Sequence, residues 1–289
     1  MSENVKDISM KEEKDLIKKM ILMVNPGDCR EIRETLNMTE KGTVKNSMEN
    51  YVTVLRKDPL LVGSLRYNRL TEKIDVTKVL WWNKEPCVLT NKGRKALRYF
   101  FEKYYGLFNE SVMDDALDLE AYSKEYHPIC EYLETLEWDG KERIRNVLKV
   151  YMGADDSDMV YEMLKHFMMG ALNRIYCPGC KFDEMLCLVG QQGAGKSTFF
   201  RFLALDDQWF SDSLKNLSME KPYELLRGHW ILEMSEMTAA ISAKSIEETK
   251  SFLSRMKETH RNPYEKYEED RPRQCVFAGS SNNRQFIPF

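Results

Sequence analysis

Eight consecutive residues, Gly190-Gln191-Gln192-Gly193-Ala194-Gly195-Lys196-Ser197, complete the pattern G-x-x-x-x-G-K-[ST], and their flanks restrict how this part of the chain can fold. Met185-Leu186-Cys187-Leu188-Val189 reads as a buried strand, and Thr198 to Leu205, with Phe199, Phe200, Phe202 and Leu203, reads as an amphipathic helix. A strand that passes through glycines into a helix N-terminus turns backbone N–H groups inward and adds partial positive charge, which is a cradle for phosphate oxygens. The expected ligand is a nucleoside triphosphate with Mg²⁺. Gly190, Gln191, Gln192, Gly193, Ala194, Gly195, Lys196, Ser197 and Thr198 supply the contacts, Lys196 reaching the terminal phosphates and Ser197 ligating the metal.

The segments around this loop alternate between the two periods. Glu142 to Met152 and Ser157 to Ile175 read as helices, the second with Val160, Met163, Leu164, Phe167 and Leu172 at core spacing. Further strands are expected at Trp230 to Met234 and Gln274 to Ala278, with a helix from Ser245 to Met256 between them. Apolar strands alternating with helices argue a parallel α/β sheet covered on both faces, a P-loop ATPase-type domain over 131–289.

Ahead of it, residues 43–130 read as a smaller, mostly helical α+β domain, and 1–42 as a charged helical segment broken by Asn25-Pro26-Gly27-Asp28. In the small domain, Ser47 to Leu55, Asn91 to Tyr105 and Ser111 to Lys124 read as helices. Short apolar pieces lie at Leu60 to Val62, Val79 to Trp82 and Val88-Leu89, and Trp81-Trp82 reads as buried packing. The break at His127-Pro128 and the Asp139-Gly140 turn bracket the domain boundary.

At 289 residues and net charge −3, the chain has room for two domains, and any polyanion-binding surface must be a local patch. Its leading apolar run, Met20 to Val24, is too short for a membrane span or signal core, so a cytoplasmic location without membrane contact is expected. Seven cysteines, an odd number, suggest reduced thiols; Cys177 and Cys180 form a C-x-x-C without a second pair at zinc spacing, better read as a Pro-Gly turn.

A phosphate loop needs an acidic partner to hold Mg²⁺ and orient the attacking water. Glu233 ends the apolar Trp230-Ile231-Leu232 run and Glu236 follows three residues later. Glu233 is assigned to the metal side and Glu236 to the water, the reverse assignment staying open. Gly279-Ser280-Ser281-Asn282 follows the last strand, where a polar amide can bond the γ-phosphate or lytic water, and Asn282 is the candidate. Between the second and third strands, Arg255, Lys257, His260, Arg261, Lys266, Arg271 and Arg273 are interleaved with Tyr264 and Tyr267, cations for phosphates and flat rings for base stacking, though Glu265, Glu268, Glu269 and Asp270 dilute the patch.

Taken in order, these motifs resemble the virulence-associated protein E family of phage and mobile-island proteins, related to superfamily 3 replicative helicases and so to ring-forming AAA+ ATPases. The resemblance rests on Trp138-Asp139-Gly140 with Arg143, Pro178 to Phe182, Gly190 to Ser197 and Trp209 to Asp212. It continues through Tyr223 to Gly228, Trp230 to Glu236, Phe252 to Arg255, Arg261 to Tyr264 and Gly279 to Asn282. It implies an AAA+-like fold, ATP as the nucleotide, and a DNA helicase or replication-initiation protein acting on single-stranded or origin DNA. It also implies a homo-oligomeric ring, a hexamer in the intact family, whose head-to-tail contacts complete each site.

The chain departs from the family at its end. Past Asn282 the family runs into a Gly-Asn-Arg-Arg-type segment whose arginine is suited to a neighbour's γ-phosphate, whereas here Phe286-Ile287-Pro288-Phe289 follows and Arg284 is the available substitute. The expectation is a C-terminally shortened domain. Since arginine fingers contribute about 10³ or more in rate, the alternative is a nucleotide-binding regulatory or interaction protein with little turnover. A phosphotransferase shares the loop chemistry but lacks a recognisable substrate base or lid here.

Overall fold

The computed structural model describes residues 14–214, 222–234, 243–260 and 268–282, and the chain divides into two compact units, Met1–Pro128 and Ile129–Phe289. In the first, helix α1 (residues 14–23) is followed by α2 (Pro26–Glu34). Asn25 caps α2 by accepting from the Gly27 N–H, and Pro26 occupies the first turn, so the Asn-Pro-Gly-Asp signal starts a helix as well as breaking one. Helix α3 (Met48–Lys57) precedes strands β1 (Leu65–Asn68), β2 (Lys73–Val76) and β3 (Cys87–Val88), which form an antiparallel sheet in that order. Helix α4 (Asn91–Phe100) continues into a π-helical turn, Phe101–Tyr105, and α5 (Glu110–Tyr122) closes the unit.

One core holds this unit together, drawing Met20 from α1, Tyr51 from α3, Leu97 and Phe100 from α4 and Leu117 from α5. Trp81 is buried edge-on to Trp82. Leu60 to Val62 and Trp81-Trp82 lie in turns and Val79-Leu80 is irregular, apolar as all these are; the strands lie instead at Leu65–Asn68 and Lys73–Val76. The widened turn of the π-helix sets Tyr105 against Asp58, the C-cap of α3: its hydroxyl donates to Asp58 Oδ2 at 2.6 Å, and the Leu60 N–H donates to Oδ1 at 2.9 Å. Burial pushes the Asp58 carboxyl above its ordinary range, and these bonds pull it only part of the way back.

The second unit opens with α6 (Pro128–Glu134), α7 (Ile144–Met152) and α8 (Asp158–Tyr176), the last capped by Ser157. There follow β4 (Met185–Val189), α9 (Lys196–Leu203), β5 (Phe210–Ser211), α10 (Pro222–Leu226), β6 (Ile231–Met234), α11 (Ala243–Leu253), the antiparallel hairpin β7 (Lys257–His260) and β8 (Glu269–Pro272), and β9 (Val276–Ser281). The four strands β4, β9, β6 and β5 pair in that order, all parallel. The last strand in sequence therefore lies between the strand that leads into the glycine loop and the strand that carries Glu233.

Alternation of side chains along β6 divides its residues between two faces. Leu232 and Met234 pack into a cluster with Phe252 and Leu253 of α11 and with Cys275 and Phe277, while Glu233 meets α9. Beside α9, Phe200 contacts Phe167 of α8 with ring centroids 6.3 Å apart. Trp230 is buried at the head of β6, its indole N–H donating to the Ala171 carbonyl of α8 at 2.9 Å. Gly170 of α8 is a packing glycine: a Cβ there would lie 2.2 Å from Phe182 Cε2. No helix among the described residues is long and apolar enough to cross a membrane.

Candidate functional site: a glycine loop facing a buried carboxylate

The loop between β4 and α9 starts as a continuation of the sheet, the Gly190 N–H donating to the Ser281 carbonyl at 3.1 Å. It then turns through Gly193 at φ +82° and Gly195 at φ +80°, conformations that a side chain disfavours. Gly195 is the N-cap of α9, and its carbonyl accepts from the Phe199 N–H at 2.8 Å. A glycine cap brings no side-chain acceptor, so the first backbone N–H groups of α9 are left to an external anion. The first turn of α9 contains no acidic residue to compete with one.

These residues line a cavity of about 370 Å³, with Gln192 to Thr198 on one wall and Ser280, Ser281 and Asn282 on the other. The Lys196 side chain lies along it, only 9 % exposed. Its ammonium donates to the Gly190 carbonyl at 2.8 Å, the Gln191 carbonyl at 3.0 Å and Asn282 Oδ1 at 3.0 Å. Asn282 thus meets the loop lysine across 86 residues of sequence, because β9 lies directly beside β4.

Glu233 is fully buried. Its Oε1 accepts from the Ser197 hydroxyl at 2.8 Å, while Oε2 is buried without a hydrogen-bond partner among the described residues. A buried carboxylate oxygen left bare is costly unless a cation completes it. A hydroxyl beside a carboxylate, both oxygen donors at the mouth of an anion cradle, suits a hard divalent ion such as Mg²⁺. The residue opposite Glu233 on β9 is Ala278, whose small side chain leaves the carboxylate room.

The cysteines offer no competing chemistry nearby. Burial pushes the thiols of Cys187, on β4, and Cys275, before β9, up to about 11, so both stay protonated and unreactive at neutral pH. All seven cysteines are free, and the described residues contain no group of three or more His, Cys, Asp or Glu that could hold a metal. Cys177 and Cys180 instead flank a turn in which Gly179, at φ +79°, sits against Pro272 and Met256.

The described part of the basic segment falls on and beside the paired strands β7 and β8, placed before the amino end of β9, whereas the glycine loop meets that strand's carboxyl end. Arg255 pairs with Glu258 at 3.4 Å and Lys257 pairs with Asp270, so each of these two cations is shared with a neighbouring acid. His260 ends β7. Arg261, Tyr264 and Lys266, like Glu236 and Arg284, lie outside the described residues.

Two further cavity residues, Ser280 and Ser281, belong to the Gly279-Ser280-Ser281-Asn282 element that the sequence places after a strand expected to end at Ala278, where Asn282 alone is the candidate. They are the buried last residues of β9, paired with Leu188 and Val189 of β4. The strand leading into the loop is found as expected at Met185–Val189, and the strand expected at Trp230 to Met234 is found at Ile231–Met234.

No curated protein matches this chain. Among solved structures it is similar to the apo C-terminal region of NrS-1, with a TM-score of 0.42, 16 % identity, and coverage of 75 % of this chain and 54 % of that one. Another form of the same region gives a TM-score of 0.43 and 14 % identity, covering 83 % of this chain and 57 % of that one. The chain thus spans a little over half the length of those structures. The model of the virulence-associated protein E-like domain matches residues 133–288, more than half of the chain and the whole of the site. The chain belongs to the virulence-associated protein E-like family.

Proposed function

We propose that the second unit is a P-loop, AAA+-like ATPase that binds Mg²⁺-ATP between the Gly190–Ser197 loop and Glu233 and uses it to work on DNA, in replication of a phage or mobile element within the bacterial cytoplasm. The observation that carries this reading is the pairing of Ser197 with Glu233 at 2.8 Å, the second carboxylate oxygen having no hydrogen-bond partner among the described residues, beside the glycine loop. The family supports it, since its members resemble superfamily 3 helicases.

In this mechanism the backbone N–H groups of the loop and of the first turn of α9 hold the β- and γ-phosphates. Lys196 exchanges its bonds to the Gly190 and Gln191 carbonyls for bonds to phosphate oxygens. Ser197 and Glu233 would ligate Mg²⁺, which would neutralise charge gathering on the transferred phosphoryl group. Asn282, released from or retained by Lys196, reports the state of the γ-phosphate along β9. Glu236 is assigned the attacking water. The basic segment, with Arg255, Lys257, His260, Arg261, Tyr264 and Lys266, is assigned the DNA strand. Subunits assemble head to tail, and an arginine of a neighbour, Arg284 in this chain, completes each site.

Calorimetry with Mg²⁺-ATP, followed by ATPase assays with and without single-stranded DNA, tests the reading. Wild-type chain should bind and hydrolyse ATP, with Lys196→Ala losing both. Charge reversal at Lys266 should leave nucleotide affinity intact and weaken DNA binding, with a steep salt dependence. Binding without turnover would favour a nucleotide-dependent regulator, and no binding at millimolar ATP would end the proposal.

A further inference from the structure

We infer that Arg273 is a positioning residue that joins the β7–β8 hairpin to β9, the strand that leads to Asn282, so that DNA held by the hairpin alters the ATP site; this rests on the function proposed above. The Arg273 side chain is 1 % exposed, and its bonds reach separate elements. Nε donates to Glu258 Oε1 of β7 at 2.9 Å, and Nη2 donates to the same oxygen. Nη1 donates to the Phe252 and Leu253 carbonyls at the C-terminus of α11, at 2.5 and 3.3 Å. The guanidinium also lies 4.5 Å from the Phe252 ring centroid and 5.3 Å from that of Phe277 on β9.

The backbone of the same residue fixes the hairpin's base. The Arg273 N–H donates to the Met256 carbonyl at 2.9 Å, and the Arg273 carbonyl accepts from the Gly179 N–H at 2.9 Å. Gly179 fits closely: a Cβ there would lie 3.1 Å from Pro272 Cβ and 3.3 Å from the Met256 carbonyl oxygen. A tilt of the hairpin therefore pulls on α11, on the Pro178-Gly179 turn and on β9 together. β9 pairs with β6 over Val276–Gly279 and with β4 over Phe277–Ser281, and spans roughly 20 Å at the usual strand rise. At its far end stands the bond from Lys196 to Asn282.

A buried arginine–glutamate pair is by itself weak evidence of a stabilising role, since apolar replacements often match it. What sets this one apart is that it links hairpin, helix terminus and central strand through a fork that lysine cannot reproduce.

The test compares wild type, Glu258→Gln and Arg273→Lys in ATP hydrolysis with and without oligothymidylate. Both variants should keep the wild-type KM for ATP and DNA-free rate while the acceleration by oligothymidylate falls roughly tenfold. Acceleration retained in both overturns the proposal, as does a parallel loss of ATP affinity and DNA-free rate, which marks a purely structural role. Should neither variant fold, hydrogen exchange on wild type decides. Oligothymidylate should change protection at the Arg273 and Gly179 amides and also in the Gly190–Ser197 loop, and a change confined to the hairpin overturns the coupling. Wild type that binds ATP but shows no response to oligothymidylate removes the DNA reading, and the coupling with it.

Discussion

Replacing Glu233 by glutamine separates the cost of burying a carboxylate from its use. In the folded chain the Glu233 side chain is fully buried and receives a hydrogen bond from Ser197, and among the described residues nothing bonds Oε2. Glutamine has the same shape, keeps an oxygen for the Ser197 hydroxyl, and removes the buried charge. An unmatched buried polar atom costs about 1–3 kcal/mol, and because the amide still lacks a full set of partners the net gain should be about 1 kcal/mol. For a unit of this size that corresponds to a rise in Tm of about 2–4 °C without ligand.

The order should invert with nucleotide. At a hundred times its Kd, Mg²⁺-ATP stabilises wild type by about 2.7 kcal/mol. If losing the charged ligand weakens binding about a hundredfold, the variant gains only ~0.4 kcal/mol at the same dose and ends about 1.3 kcal/mol below wild type. Differential scanning fluorimetry with and without Mg²⁺-ATP, and with ATP plus chelator, reads both differences. A variant less stable than wild type without ligand would show that the carboxylate is satisfied as it stands. Equal Mg²⁺-ATP shifts in both proteins would refute the metal assignment.

Three further outcomes are expected. Lys196→Ala removes an ammonium bonded to two loop carbonyls and Asn282, and should abolish the Mg²⁺-ATP thermal shift while the ligand-free fold persists on circular dichroism. Gly170→Ala, a change that gains about 1 kcal/mol in an open helix, should instead lower stability by about 1–2 kcal/mol in chemical denaturation, because its methyl meets the Phe182 ring. Asp58→Asn should change the pH dependence of the first unit's unfolding. The folded carboxyl is raised by burial, so its contribution is fully present below the unfolded value of about 4 and is lost as pH rises through the folded value. The stability difference between variant and wild type should therefore move in the variant's favour with rising pH, and parallel urea midpoints would refute the assignment.

The glycine loop, its strand and its helix were legible because each carries a local signal: a run of apolar residues, glycines at positive φ, and a helical apolar face. Glu233 was legible as the acid at the end of an apolar run. The pairing order of the sheet was not, since nothing in Val276–Ser281 announces that it separates β4 from β6. β1 and β2 escaped because each has only two buried residues among four, whereas longer apolar runs at Leu60 and Val79 supply core-filling turns and irregular segments. The β7–β8 hairpin escaped because Lys257–His260 and Glu269–Pro272 carry charges where a strand pattern would place apolar residues. Arg273 looked like one more basic residue of a surface patch until burial set it apart from Lys257.

The alternation along β6 also determines where the gene can tolerate length changes. Held between β5 and β9, the strand directs Leu232 into the cluster with Phe252 and Phe277 and Glu233 toward Ser197. One residue inserted after Trp230 would exchange those directions, offering leucine to the serine and driving the acid among aromatic rings. At Gly140, in an exposed turn, the same insertion should be absorbed. Odd or even count, as much as residue identity, is what heredity must preserve along this strand.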